Sequence, residues 1–279
     1  MKVNILEYRI KDLLFSFEKG VFLMIDIHSH IIFDVDDGPK SIEESIKMLY
    51  SAVDEGITEI VFTSHAFHPQ YHAQTGIVKE RFDVLREGIK IHDIPLNIHI
   101  GHEVRLNDQI CPQLDKGKVL TLANSRYLLL ELPSQGVPKY TFEIINQLVT
   151  RGIVPVIAHP ERNYGIMEKP ELLERLVFHG AISQINAGSI VGHFGKRIQQ
   201  NALKLIKANL IHAYGSDVHN LSKRPFLYAK GLSYLEKHKC SDFVDIFLEN
   251  NARILANSDV IILEPEKILK RKWLGLFSQ

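Results

Sequence analysis

Cysteine is scarce: Cys111 and Cys240 are the two present in 279 residues, so no disulfide framework holds the fold and a reducing cytoplasm is the simpler compartment. Net charge is absent as well. Lys plus Arg and Asp plus Glu number 33 each, which leaves no global field to draw the chain to nucleic acid or to an anionic membrane. No apolar run is long enough to span a bilayer. Charges at Lys2, Glu7, Arg9, Lys11, Asp12, Glu18 and Lys19 interrupt the apolar stretch that a signal peptide requires, so a cytoplasmic protein is expected. No linker rich in proline, glycine or serine, no low-complexity tract and no repeat divides the chain. With 45% hydrophobic and 24% charged residues, it has the composition of one large or two small globular domains. Two motifs are also missing: there is no Gly-x-x-x-x-Gly-Lys phosphate loop and no His-Glu-x-x-His. Nucleotide hydrolysis by a P-loop and helix-borne zinc peptidase chemistry are therefore unsupported.

What the chain does have is a short apolar run, residues 24–27, that leads straight into His28 and His30. Residues i and i+2 of an extended chain share a face, so Asp26, His28 and His30 are predicted to point one way, where two imidazoles can share a cation. A turn at 36–40 precedes Ser41 and Glu44, a capping box, and Ile42, Ile46, Leu49 and Val53 follow at helical spacing up to Gly56. That predicts a helix over 41–55. Further strands are predicted at 59–63, 96–100, 126–130, 153–158, 181–185 and 211–214. Between them a helix is expected over 78–91, and helical periodicity runs through Phe142 and Leu148, Leu172 and Leu176, and Ile198 and Ile206.

Strand and helix alternate over seven strands, which argues for one parallel barrel or one wound sheet. Six of the seven predicted strand ends carry His, Asp or Glu at or just past the last apolar residue. A β/α barrel gathers the C-terminal ends of all its strands on one face, whereas a wound sheet gathers only those near its switch point, so the spread favours a closed or nearly closed barrel. The candidate ligands are His28, His30, Asp37, His65, Glu103, Glu131, His159, Asp217 and His219. Nine donors are too many for one ion and suit three that share carboxylates, with zinc, manganese and iron all acceptable to this His/carboxylate mixture.

The motifs Asp26-Ile27-His28-Ser29-His30, Asp37-Gly38-Pro39, Thr63-Ser64-His65, Gly101-His102-Glu103-Val104, Glu131-Leu132-Pro133, His159-Pro160-Glu161-Arg162 and Gly215-Ser216-Asp217-Val218-His219 resemble the PHP superfamily. Within it the chain is similar to the manganese-dependent tyrosine-protein phosphatases of Gram-positive bacteria that act on capsule and exopolysaccharide regulators. The likeness runs from about Met24 to Ala256. It implies a distorted seven-stranded (β/α)7 TIM-like barrel, the PHP fold, with three divalent ions, manganese by preference. One would be held by His28, His30, Glu103 and Asp217, a second by Glu103, Glu131 and His159, and a third by Asp37, His65 and His219. Residues 1–23 are expected to be an appendage of the kind a misassigned start codon adds. Residues 24–279 would then form a single PHP-type domain ending in a helical tail.

Metal coordination lowers the pKa of water from 15.7 to about 7 in favourable cases, so a hydroxide bridging two cations is the expected nucleophile. Arg162 lies three residues past His159 and Arg224 five past His219, so both should reach the metal face and stabilise charge on a phosphate under attack. A phenolate leaves readily, which suits phosphotyrosine. Cysteine-based phosphatase chemistry fails on the sequence, because its arginine six residues beyond the cysteine is replaced by Gly117 and Ile246. The expected substrate is a phosphotyrosine protein, a bacterial tyrosine kinase in the first instance. Hydrolysis of a small phosphomonoester such as histidinol phosphate, and an inactive metal-stabilised interaction module, are the competing readings. His99 and His212 are expected to be packed or hydrogen-bonded, and His102, next to Glu103, to point the opposite way and not to ligate. Membrane contact is open only to the basic segment around Lys267, Lys270, Arg271 and Lys272, and the loop with His68 and His72 has no assigned role.

Overall fold

The computed structural model describes residues 23–71 and 73–266. Nearly all of the expected N-terminal appendage, His72 and the C-terminal basic segment lie outside them. Seven strands form one sheet in chain order, all pairs parallel: β1 (Ile25–Ser29), β2 (Glu59–Ala66), β3 (Asn97–Arg105), β4 (Tyr127–Glu131), β5 (Val154–Ala158), β6 (Ile182–Asn186) and β7 (Ala213–Gly215). The sheet curls until its first strand meets its last. Ser29 bridges Val218 in parallel, the Asp217 N–H donates to the His28 carbonyl at 2.8 Å, and the His30 N–H donates to the Val218 carbonyl at 2.8 Å. Lower on the same seam Asn251 takes the place of strand pairing, its Nδ2 donating to the carbonyls of Ile25 and Tyr214 and its Oδ1 accepting from the Tyr214 N–H. The expected barrel is therefore present and nearly closed.

Both faces of the sheet are buried, as parallel sheets require. Ile25, Ile27, Val61, Leu129, Val156, Ile182 and Ala213, drawn from six of the strands, form one cluster that fills the barrel. Ile60, Phe62, Leu128, Leu130, Ile157 and Ile185 pack outward against helical residues such as Leu49, Leu85, Leu148, Leu176 and Leu205. The covering helices include α1 (Ile42–Asp54), α2 (Thr75–Ile91), α3 (Ile110–Asp115), α4 (Thr141–Thr150), α5 (Tyr164–Glu168), α6 (Glu171–Phe178), α7 (Ala187–Ile190), α8 (Lys196–Lys207), α9 (Tyr228–Lys237) and α10 (Ser241–Leu255). Ser41 caps α1 as predicted, accepting from the Glu44 N–H, while the Glu44 carboxylate reaches one residue further back and accepts from the Lys40 N–H at 2.7 Å. Gly56 then ends the helix at φ +81°, a conformation open to glycine at little cost.

Two expectations need correction. Strands β2 and β3 run past 63 and 100 to Ala66 and Arg105, because Ser64, His65, His102 and Glu103 keep the ladder although they are polar. His65 and Glu103 thus lie within paired strands, directly opposite one another, rather than beyond strand ends. In β1 strict alternation fails, since Asp26 pairs with Ile60 but Ser29 pairs with Phe62, so three steps on one strand match two on the other. Beyond these, helices α3, α5, α7, α9 and α10 have no counterpart among the predicted elements.

Candidate metal centre

The strand ends converge as the barrel requires. His28 Nε2 lies 3.4 Å from Glu103 Oε2 and 3.4 Å from Asp217 Oδ1, and His30 Nε2 lies 3.3 and 3.6 Å from the same two oxygens. Donors about 2.0–2.1 Å from one tetrahedral cation sit about 3.4 Å from one another, so these four are spaced for a shared ion. A second group joins Asp37 Oδ1 to His219 Nε2 at 3.3 Å and to His65 Nε2 at 3.4 Å, with His30 beside them. The third centres on Glu103, Glu131 and His65, while His159 Nε2 lies 2.8 Å from the other Glu103 oxygen, Oε1. All nine sequence-predicted residues reach this one face; Glu131 also meets Arg105 Nη1 at 2.9 Å.

Imidazole protons are arranged to leave ligand nitrogens free. His28 Nδ1 donates to Gln184 Oε1 at 2.9 Å, His30 Nδ1 to Asp36 Oδ2 at 3.0 Å, and His219 Nδ1 to the Asp217 carbonyl at 3.0 Å. Each acceptor fixes the proton on Nδ1 and turns Nε2 into the cluster, the arrangement that orients metal-bound histidines. Buried atoms of five candidate ligands, Asp37 Oδ1, His65 Nδ1, Glu103 Oε2, Glu131 Oε2 and His219 Nε2, make no well-formed hydrogen bond and have only charge contacts, with one another or with Arg105. Burying so many imidazole and carboxylate atoms together with few well-formed hydrogen bonds is costly, and their crowding in one place fits the coordination of cations.

The electrostatics agree. Burial alone would strip the proton from His28, but the carboxylates of Glu103 and Asp217 outweigh it and lift its pKa to about 9. The same balance, with Glu103 and Asp37 as the counter-charges, lifts His65 to about 11. Burial opposes charge on Asp217 too, yet Arg224, His28, His219 and Arg162 hold its carboxyl well below the usual range. In the metal-free protein, protons on imidazoles thus balance the carboxylates, and a cation can displace them.

Arg162 and Arg224 reach the same place. Arg162 Nη1 donates to Asp217 Oδ2 at 2.8 Å, and Arg224 Nη2 donates to both Asp217 oxygens at 2.8 Å. With Asp37, His65, His68, Gln70, Tyr71, Glu103, Glu131 and His159 they line a cleft of ≈160 Å³. Two ligand candidates, His159 at φ +32° and Asp217 at φ +55°, occupy the left-handed region, a strain that accumulates at functional sites. Gly215 explains the approach of β7: a Cβ there would lie 2.8 Å from His28 Cβ and 2.9 Å from Gln184 Nε2.

Sequence reasoning missed the supporting layer. Asp36 orients His30 and accepts from the His65 N–H at 3.1 Å, Asn186 Nδ2 donates to Asp217 Oδ2 at 2.7 Å, and buried Glu161 accepts from the Asn186 N–H and the Ser189 hydroxyl. Period-2 alternation on β6 would have exposed Gln184 and Asn186 as inward-facing polar residues. The bland histidines are as expected: His99 pairs with Glu59 at 2.8 Å, while His102 Nδ1 and His212 Nδ1 accept from backbone N–H groups at 3.1 Å, and burial pushes both down to about 4.

With this geometry in hand, the family follows from comparison. The family described as capsular polysaccharide synthesis, CpsB/CapC, matches residues 24–256. The chain belongs to the CpsB/CapC family. It is 39% identical over 254 residues to the putative tyrosine-protein phosphatase CapC of Staphylococcus aureus, and equally so to the tyrosine-protein phosphatase YwqE of Bacillus subtilis; each match covers 91% of this chain and 100% of the relative. Crystal structures of YwqE and of CpsB from Streptococcus pneumoniae, called metal-dependent tyrosine phosphatases, include a chain that superposes with a TM-score of 0.85 at 39% identity, covering 89% of this chain and 100% of that one. Like the barrel, these CpsB/CapC relatives agree with the resemblance read from the motifs. No helix among the described residues is long and apolar enough to cross a membrane.

Proposed function

We propose that this CpsB/CapC protein is a metal-dependent protein-tyrosine phosphatase, not cysteine-based, working in the cytoplasm on phosphotyrosine of a bacterial tyrosine kinase that controls capsule or exopolysaccharide synthesis. The observation that carries the reading is the convergence of His and carboxylate donor atoms on one barrel face, with two guanidiniums reaching into the same cleft. His28, His30, Glu103 and Asp217 would hold one ion, Glu103, Glu131 and His159 a second, and Asp37, His65 and His219 a third; manganese is the first choice, with iron or zinc acceptable. Bound divalent ions would supply Lewis acidity, polarising the phosphate and making water acidic enough to attack it near neutral pH.

The chain's own groups do the rest. Arg162 and Arg224 present planar paired donors to the non-bridging phosphate oxygens, where negative charge builds during in-line attack. Gln184, Asp36 and Asn186 fix the ligands in place, so little reorganisation accompanies the reaction. The cleft falls below the roughly 300–1,000 Å³ of sites that engulf a small ligand. It seats a phosphate group and leaves the remainder of the substrate outside, which favours a side chain presented by a protein over histidinol phosphate. We take residues 24–279 as one domain of this type and 1–23 as its appendage. Turnover on phosphotyrosine peptides and on histidinol phosphate, with manganese supplied, is the test. Preference for the small molecule would overturn the protein-substrate reading, and no hydrolysis of any aryl phosphate would leave an interaction module.

A further inference from the structure

We propose that Tyr71 and His68, on the loop between β2 and α2, form an aromatic platform that grips the phenyl ring of the substrate and selects aryl over alkyl phosphates; this rests on the phosphatase reading above. The rings of His65, His68 and Tyr71 pack as one group, with His65 and His68 centroids 5.0 Å apart and planes 33° apart. Tyr71 lies 5.6 Å from His65 with planes 13° apart and 4.6 Å from His68 with planes 19° apart. His65 belongs to the candidate metal cluster, so this aromatic group adjoins the cluster. A tight turn holds it, with the Tyr71 N–H donating to the His68 carbonyl at 3.3 Å and His68 Nδ1 accepting from the Gln70 N–H at 3.2 Å. Just before it, Phe67 sits at φ +60°, a conformation that bulky side chains rarely adopt, which marks this as a loop shaped for something other than its own stability.

Chemistry gives the platform its role. The other cleft-lining residues are Asp37, Gln70, Glu103, Glu131, His159, Arg162 and Arg224 together with His65, a set that binds phosphate but offers an apolar ring little. A phosphate held by the guanidiniums must send its ester substituent out of this shallow cleft, past the aromatic loop. A phenyl ring there gains offset stacking that an alkyl chain does not, and an aromatic pair is worth a factor of roughly 3 to 10 in binding.

The test compares manganese-loaded wild type with Tyr71→Ala, His68→Ala and Tyr71→Phe, using calorimetric binding of phenylphosphonate and methylphosphonate alongside kcat and KM on phosphotyrosine and phosphoserine peptides. Wild type should prefer phenylphosphonate. Each alanine variant should lose roughly 3- to 10-fold of that preference, through phenylphosphonate alone and through KM on phosphotyrosine, while Tyr71→Phe keeps the preference. Equal affinity of wild type for the two phosphonates, or an unchanged ratio in Tyr71→Ala with its metal content intact, would overturn the platform. Absence of phosphotyrosine turnover in wild type would instead overturn the phosphatase reading, and the phosphonate ratio would still judge the platform.

Discussion

Replacing Arg162 with alanine separates chemistry from folding. Its guanidinium donates to Asp217 Oδ2 at 2.8 Å, rests 4.7 Å over the Phe194 ring, and belongs to a side chain 30% exposed. Asp217 keeps two bonds from Arg224 and one from Asn186 after the change, so the buried carboxylate is not orphaned. The lost bond is a charge-assisted one to a carboxylate only 1% exposed and contributes about 1.5–3 kcal/mol, which for a domain of this size moves Tm by roughly 3–12 °C. Loss of one preorganised donor to a developing oxyanion, by contrast, costs about 100- to 1,000-fold in kcat, or about 2.7–4 kcal/mol. Arg162→Ala is therefore expected to fold, to carry wild-type metal, and to turn over phosphotyrosine peptide at about a hundredth of the wild-type rate or less. Stopped assays with malachite green, a thermal melt and elemental analysis suffice. A kcat within about threefold of wild type would remove Arg162 from the phosphate site, and a loss that tracks missing metal would make its role structural.

Other outcomes follow from the same geometry. Gln184→Leu removes the acceptor that fixes His28, and metal affinity should fall about 10- to 100-fold, read by titration with a competing chelator. His159→Ala and Asp217→Ala should each abolish phosphotyrosine turnover and reduce bound metal. Chelator should lower Tm, and manganese at about 1,000 times its Kd should restore about 4 kcal/mol; an unchanged Tm would deny the ions a place in the native fold. In metal-free protein His28 is raised from 6.5 to about 9, so its protonation stabilises the fold below about pH 6.5 and that contribution fades as pH rises through about 9. Urea melts of the metal-free protein should weaken over this window, and metal should flatten the slope.

Much of this was legible in the sequence, for identifiable reasons. His28 and His30, Glu131 and Asp217 sit next to β-branched or leucine-rich runs, and a parallel barrel collects whatever follows such runs on one face. Period-based reading failed where polar residues continue a buried strand, as at Ser64–His65 and His102–Glu103, because hydrophobicity reports burial and not hydrogen-bond pairing. His159 reaches the metal face as expected from its place after β5, but not by alternation. Ala158 belongs to the barrel interior, so alternation would send the next side chain outward, and only the left-handed backbone at His159 returns it to Glu103. Gln184, Asn186 and Asp36 stayed hidden because a supporting residue is defined by the partner it meets in space. Helices α9 and α10 escaped notice although Asn251 on α10 seals the barrel seam, a task visible only once β1 and β7 are side by side.

The central claim is that donors scattered from His28 to His219 meet to hold cations that enable phosphotyrosine hydrolysis. Elemental mass spectrometry of protein purified with manganese, paired with phosphotyrosine-peptide turnover before and after chelation, tests it most directly. The account predicts three ions per chain, one for each donor group, and turnover that vanishes with the ions and returns with them. Stoichiometric metal-free protein that hydrolyses the peptide at full rate would contradict it.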